Sequence, residues 1–474
     1  MSDDPVRLSA TAAVAELRAG TVSPTELLDA ALDRIEAVEP AINALPTRCE
    51  ARAREAIARL PPPARTGPGH LAGLPIAIKD VTPVAGVRTT YGSQLYADHV
   101  PDRSGALVER LEHNGAVVIA KSNTPELGAG ANTFNDVFGA THNPWDTTRT
   151  AGGSSGGSAA ALAAGEVWLA HGSDLGGSLR TPAAFCGVVG LRPSPGRVVR
   201  GPEGELFGDA GVHGPMGRTV ADAALFLDAM VGRDVRDPLS LDAPATSFAE
   251  AVRTAEPPAR IAFTPDLRGF TPVDAEVAAV CERAARSLEG LGTVVEPACP
   301  DLTDLYSVYH ALRGRVYADL GQTLSHADRE VVKEEIRWNI DVGERASGAE
   351  LAAARAGRAR LYREVVAFLS QYEVLAFPAA VVPAPPVTTR FLEELDGHRF
   401  STYIDWVQIT FLSTVVACPT VVVPAGLTQS GLPVGLQLLG PPRGEAAVLA
   451  AAALVEQQVG LPVSLPIEPR AGRH

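Results

Sequence analysis

Two rhythms of apolar and polar positions divide the chain. Over the first sixty residues apolar positions recur at helical spacing: Leu27, Leu28, Leu32 and Ile35 follow Ser23, Pro24, Thr25 and Glu26, a capping box with proline at the first helical position. A polar, proline-rich loop over residues 61–69 closes this segment. Beyond it, short apolar runs at 74–78 and 116–120 predict strands, and helix-like residues 104–113 separate them. Such alternation predicts an α/β sheet. Further along, residues 219–230 and 272–288 read as capped amphipathic helices, with a strand at 260–264 before the second. Residues 328–369 read as a long charged helical region, 374–382, 420–423 and 433–439 as the last strands, and 445–459 as a closing helix. The most apolar stretch, 409–427, contains Pro419 and Pro424 and predicts buried strands rather than a spanning helix. With no internal repeat and no long low-complexity linker, a single large domain over 1–474 is expected.

Composition narrows the partners. Apolar residues make up 46% and charged residues 20%, a globular balance. The net charge of −14 repels phosphate backbones and anionic lipid headgroups, so neither nucleic acid nor a membrane surface is expected as a partner. The chain opens Met1, Ser2, Asp3, Asp4, without the basic and apolar regions of a secretory signal, and a cytoplasmic location is expected. Cys49, Cys186, Cys281, Cys299 and Cys418 are scattered and form no Cys-x-x-Cys pair, and no His-x-x-x-His pair occurs. Reduced thiols are expected, with no metal and no cofactor.

The lysines change the picture more. Three of them, Lys79, Lys121 and Lys333, stand against 38 arginines. An amine can lose its proton inside a protein, whereas a guanidinium effectively cannot. Lys333 falls in the charged run 329–337 and carries no such suggestion. Lys79 ends the apolar run Gly73, Leu74, Pro75, Ile76, Ala77, Ile78, where partial desolvation disfavours its charged form. Neutrality near pH 7 needs a fall of roughly 3 units from about 10.4. The alternative is an amine that reaches solvent and pairs with Asp80.

Two glycine and serine clusters accompany it. Gly152, Gly153, Ser154, Ser155, Gly156, Gly157 and Ser158 run into the helix former Ala159 to Ala164, so amides at a helix start can face an anion or a developing oxyanion. A flexible connector is the plainer reading of this segment taken alone. The Lys-Ser or Lys-Thr pair of a phosphate loop is missing, which argues against nucleotide binding. In the second cluster, Gly176 and Gly177 precede Ser178, permitting a tight turn whose N–H groups line up to hold a tetrahedral oxyanion beside that serine.

Residues 73–80, 152–158 and 172–182, in this order and with Ser154 and Ser178 24 positions apart, resemble the three sequence marks of the amidase signature family. Similarity extends to 121–126, 183–187, 214–220 and 431–437, and so spans most of the chain. The resemblance implies a single large α/β domain whose mixed, largely central sheet is covered by helices on both faces. It would comprise a helical segment 1–65, a catalytic core 66–235 and an α/β part 236–474 that completes the sheet. It also implies a Ser-cisSer-Lys triad of Ser178 as nucleophile, Ser154 as relay on a cis peptide bond and Lys79 as base. Backbone amides of Leu175, Gly176, Gly177 and Ser178 would form the oxyanion hole, and Asp174, Arg180 and Ser155 would support the loops.

Other readings remain. Gly152, Ser154 and Gly156 also satisfy the nucleophile-elbow pattern, which should follow a strand directly, whereas Asp146 to Thr150 is polar. His171 stands close to Ser178 in sequence and reads as structural. The family also contains the glutaminase component of tRNA-dependent amidotransferases, but the serine-rich stretch ending in Asp-Gln usual there is replaced by Asp209, Ala210, Gly211, Val212 and His213. A catalytically dead scaffold would have little reason to keep both serines and Lys79. The expected substrate is a small amide with an aryl or aliphatic acyl group, with esters and carbamates as further substrates, and the expected assembly is a monomer or homodimer. Gly128, Phe134 and Phe207 are candidate substrate contacts, and Phe138, Trp145 and Leu206 are further apolar candidates.

Overall fold

A computed structural model describes residues 4–60, 67–201, 205–459, 461 and 463–472. Most of the proline-rich loop expected at 61–69 therefore lies outside the described residues. The centre is an eleven-stranded mixed sheet. Its strands are β1 (Thr47–Arg48), β2 (Pro75–Lys79), β3 (Val117–Ser122), β4 (Leu169–Asp174), β5 (Val189–Arg192), β6 (Val212–Gly217), β7 (Arg260–Phe263), β8 (Val294–Pro297), β9 (Val374–Pro378), β10 (Thr420–Leu427) and β11 (Pro433–Leu439). Their spatial order is β1-β3-β2-β4-β6-β5-β10-β11-β9-β7-β8. β3, β2 and β4 run parallel, as do β9, β7 and β8, while the strands between these groups pair antiparallel. One sheet thus joins the early and late parts of the chain, in a single domain of the expected class.

Burial explains the strand composition. Every residue of β2, β3, β5, β9 and β11 is buried, which matches near-continuous apolar runs in strands covered on both faces. The capping box at Ser23 is formed, and the helix Pro24–Ile42 lays Leu27, Leu28, Ala31 and Ile35 into the core.

Two expectations need correction. The charged region 328–369 is three helices, His326–Val331, Glu334–Arg345 and Gly348–Leu369, with capping boxes at Ser325 and Ser347 opening the first and third. Residues 409–416 are not strand: a 3-10 turn, Asp405–Thr410, leads into the helix Phe411–Val416, and Ala417 in the left-handed conformation ends it before β10 begins. Every residue of that helix is buried, and an apolar run without periodicity does not distinguish a buried helix from a buried strand.

Candidate active site

Four segments meet at the ends of β2 and β4. The helices α1 (Gly156–Ala164) and α2 (Arg180–Cys186) each follow one of the glycine and serine clusters. The Gly153–Ser154 peptide bond is cis. The Thr133 hydroxyl donates to the Gly152 carbonyl at 2.8 Å and accepts the Gly156 amide at 3.1 Å, fixing the first loop. The Gly157 amide donates to the Asn123 carbonyl. Amides at the start of α1 are therefore engaged within the fold, contrary to the expectation that they face an anion. Asp146–Thr150 is a strand, but it pairs with His142–Asn143 in a small ribbon outside the central sheet. Ser154 consequently does not stand on an elbow at the sheet edge.

Lys79 is fully buried at the end of β2. Its Nζ donates to Ser154 Oγ at 2.6 Å, Ser155 Oγ at 3.0 Å and Ser173 Oγ at 3.0 Å. Burial pushes the amine down to about 7, and the negative charge of Asp174 only partly opposes this. Asp80, the alternative partner, is engaged elsewhere: it pairs with Lys121 at 2.8 Å and accepts the Thr90 amide and hydroxyl. Ser173 escaped sequence reasoning, although strand alternation from His171 gives the signal, since residues i and i+2 share a face.

Ser178 occupies the turn between β4 and α2, half-buried, and its hydroxyl has no hydrogen-bond partner among the described residues. Its carbonyl accepts the Ser155 amide at 3.2 Å, which ties the two serine loops together. Asp174 shapes this turn. Its Oδ1 accepts the Gly177 amide and its Oδ2 the Leu179 amide, and Arg180 and Arg192 both bind it. Burial alone would raise this carboxyl, but the two guanidiniums hold it well below the usual range. Because the Gly177 amide is engaged there, the amides of Leu175, Gly176 and Ser178 remain without an acceptor among the described residues. Glycine is required twice: a Cβ on Gly176 would overlap the Tyr309 hydroxyl, and Gly177 has φ +101° with Thr410 2.8 Å from its would-be Cβ.

A histidine pair underlies the site. The Lys79 backbone N–H donates to His171 Nδ1, and His171 Nε2 lies 2.9 Å from His213 Nδ1. Burial holds His171 far below its ordinary range and His213 at about 3, so both rings are neutral. With His171 Nδ1 accepting, its proton sits on Nε2 and is donated to His213, whose own proton is then on Nε2.

Ser154, Ser173, Ser178, Leu175, Gly176 and Gly128 line one cleft of about 790 Å³. A Cβ on Gly128 would stand 3.8 Å from Ser154 Oγ. The aromatic candidates are elsewhere. Phe134 lies under the cations of Lys333 and Arg390, 5.6 and 5.7 Å from its ring, and does not line the cleft. Phe207 is 77% exposed and borders a separate surface hollow. Phe138 stacks with Arg88, and Trp145 is buried with its indole N–H on the Cys186 carbonyl. The apolar wall comes instead from Leu127, Val316, Tyr317, Leu320 and Ile404, mostly on the helix α3 (Leu305–Thr323).

No group of three or more His, Cys, Asp or Glu among the described residues could hold a metal ion, and no described helix is long and apolar enough to cross a membrane. What the arrangement offers is acyl-transfer chemistry: a free hydroxyl beside unclaimed amides, and a desolvated amine holding a second hydroxyl. The family model described as Amidase matches residues 26–449. An acylamidase of Rhodococcus erythropolis is 36% identical over 454 residues, covering 95% of each chain. A glutamyl-tRNA(Gln) amidotransferase component from Oleidesulfovibrio alaskensis is 34% identical, covering 95% of this chain and 97% of its own. The crystal structure of a bacterial aryl acylamidase superposes with a TM-score of 0.88 at 28% identity, covering 95% of this chain and 96% of that one. The chain belongs to the amidase signature family, hydrolases of carbon–nitrogen bonds in non-peptide amides.

Proposed function

We propose that the chain is a stand-alone acylamidase in which Ser178 forms an acyl-enzyme, Ser154 relays protons and Lys79 is the base. The observation that carries this reading is the 2.6 Å hydrogen bond from a fully buried Lys79 to Ser154, in the cleft that also holds Ser178. Ser178 Oγ attacks the carbonyl carbon. Its proton passes to Ser154, whose own proton passes to the neutral Lys79 amine, the 2.6 Å contact then running from the Ser154 hydroxyl to the amine lone pair. The free amides of Leu175, Gly176 and Ser178 stabilise the oxyanion, a contribution worth about 3–4 kcal/mol per donor in comparable sites. Collapse of the intermediate breaks the C–N bond, and the leaving nitrogen takes a proton back through Ser154. Water then releases the acid by the same route. Asp174, held by Arg180 and Arg192, keeps the oxyanion turn in place, and Ser155 bridges Lys79 to the turn.

Nothing in this chemistry requires nitrogen in the leaving group, so aryl esters and carbamates are further substrates. Turnover of acyl p-nitroanilides, p-nitrophenyl esters and an aryl carbamate by the purified chain tests the reading. Nitroaniline release, lost about a thousandfold or more in Ser178→Ala and Lys79→Ala, is expected. A second reading, the glutaminase component of a tRNA-dependent amidotransferase, draws on the 34% identity to a protein of that kind. It lacks support from residues 209–213, which depart from the usual serine-rich pattern. Glutamine turnover only with added partner proteins, and no anilide turnover, would reverse the preference.

A further inference from the structure

The wall of the cleft carries a charge with no counterion. Arg313, on α3, is 5% exposed and lines the cleft. Its Nε donates to Asn339 Oδ1 at 3.0 Å, and its Nη2 donates to the hydroxyls of Tyr317 at 3.2 Å and Tyr403 at 2.6 Å. All three partners are neutral. The guanidinium also lies 4.8 Å from the centre of the Tyr317 ring and 5.8 Å from that of Tyr403. No carboxylate pairs with it among the described residues. The neutral Tyr309 hydroxyl is a further neighbour, Nη1 carries no other hydrogen bond among the described residues, and the residue borders the cleft.

Of the other buried arginines, Arg218 donates to the Val6 and Leu8 carbonyls, and the rest have carboxylates. Arg180 and Arg192 share Asp174, Arg197 has Glu445, and Arg390 has Glu335. The acidic groups that border the cleft do not serve Arg313: Asp174 is held by its two arginines, Glu205 pairs with Arg315, and Asp319 is exposed at the rim. A second cation stands nearby, since Lys333 Nζ lies 3.5 Å from the would-be Cβ of Gly130, itself a cleft residue. A buried charge without an opposite partner is expensive, and a guanidinium with a free edge matches a carboxylate in shape and in charge.

We propose that Arg313 binds a carboxylate on the substrate, so that the preferred amides carry an anionic group away from the scissile bond. This deepens the acylamidase reading and rests on it. The acid group belongs to either side of the amide, and two matched pairs separate the cases. On the acyl side, adipic acid monoanilide is compared with heptananilide. On the amine side, N-hexanoyl-4-aminobenzoate is compared with N-hexanoyl-4-toluidine. A hydrogen bond to a charged partner changes affinity by about 10- to 100-fold. At low salt the wild type should therefore favour the acid of at least one pair by about tenfold or more in kcat/KM. That ratio should collapse towards one in Arg313→Gln and persist in part in Arg313→Lys.

Because the ratio is taken within one protein sample, partial unfolding of a variant cancels. If Arg313 only braces Tyr403 and Asn339, Arg313→Gln lowers both members of a pair equally, and the proposal falls. It falls too if neither acid is preferred by the wild type. Equilibrium binding of the same compounds to Ser178→Ala, with and without Arg313→Gln, reads the preference without turnover. Tighter binding of the acid there, lost with Arg313→Gln, sustains the carboxylate site even if no anilide is cleaved, an outcome that would sink only the acylamidase reading.

Discussion

Lys79 decides what the chemistry can be at the residue scale. Its neighbours are three hydroxyls and no carboxylate, so no ion pair within hydrogen-bond reach holds it charged, and burial brings it to about 7. In the proposed reaction the active form is the neutral amine. Below about pH 7 kcat/KM should therefore fall about tenfold per pH unit, and above it reach a plateau. A flat profile between pH 5 and 8 would remove Lys79 from the base role. Lys79→Arg keeps the charge yet cannot release the proton, and should be as inactive as Lys79→Ala in a stopped anilide assay. The sequence made this residue legible for a reason of scarcity: with arginine as the default cation, a lysine ending a strand stands out. The same reasoning missed Lys333, set aside as part of a charged run. Its amine, half-buried, donates to the Ala129 carbonyl, and burial lowers it to about 8.

Among elements, the turn between β4 and α2 is the most constrained. Gly176→Ala should lower kcat by about a hundredfold or more, because the new methyl meets the Tyr309 hydroxyl and displaces the turn that holds Ser178. Tyr309→Phe in the same chain removes that oxygen and should recover part of the rate. Recovery in kcat with KM little changed would identify the oxyanion turn, and no recovery would assign the loss to the backbone itself. Both serine loops were visible in the sequence because their glycines and serines have few other uses at strand ends. The far wall of the cleft was not. α3 shows little amphipathic contrast, and nothing local marks which helix will cross the mouth of a sheet some 130 residues upstream. Aromatic residue type proved a poor guide for the same reason: Phe134 and Phe207 reach other surfaces, while Leu320 and Ile404 reach the cleft.

Over the whole molecule, one buried pair links pH to stability. Glu166 is fully buried against Glu39, whose carboxylate accepts the amides of Ala44 and Leu45. Burial raises both carboxyls, Glu166 furthest, and Glu39 adds to that shift. A carboxyl raised on folding holds its proton where the unfolded chain has lost it, so its contribution to stability declines as pH rises above about 4.5. Glu166→Gln keeps a donor towards Glu39 without a titrating proton. Its Tm should exceed the wild-type value by a few degrees at pH 8, and the gain should vanish near pH 4. An equal shift at both pH values would show that protonation is not involved.

The burial of the lysines also reaches into handling of the protein. Lys79 and Lys121 are fully enclosed, and the Lys333 amine is tied to a carbonyl, while the surface cations are guanidiniums. Reagents that acylate primary amines should find few lysines to attack on the folded chain, and a jump in labelling would report unfolding.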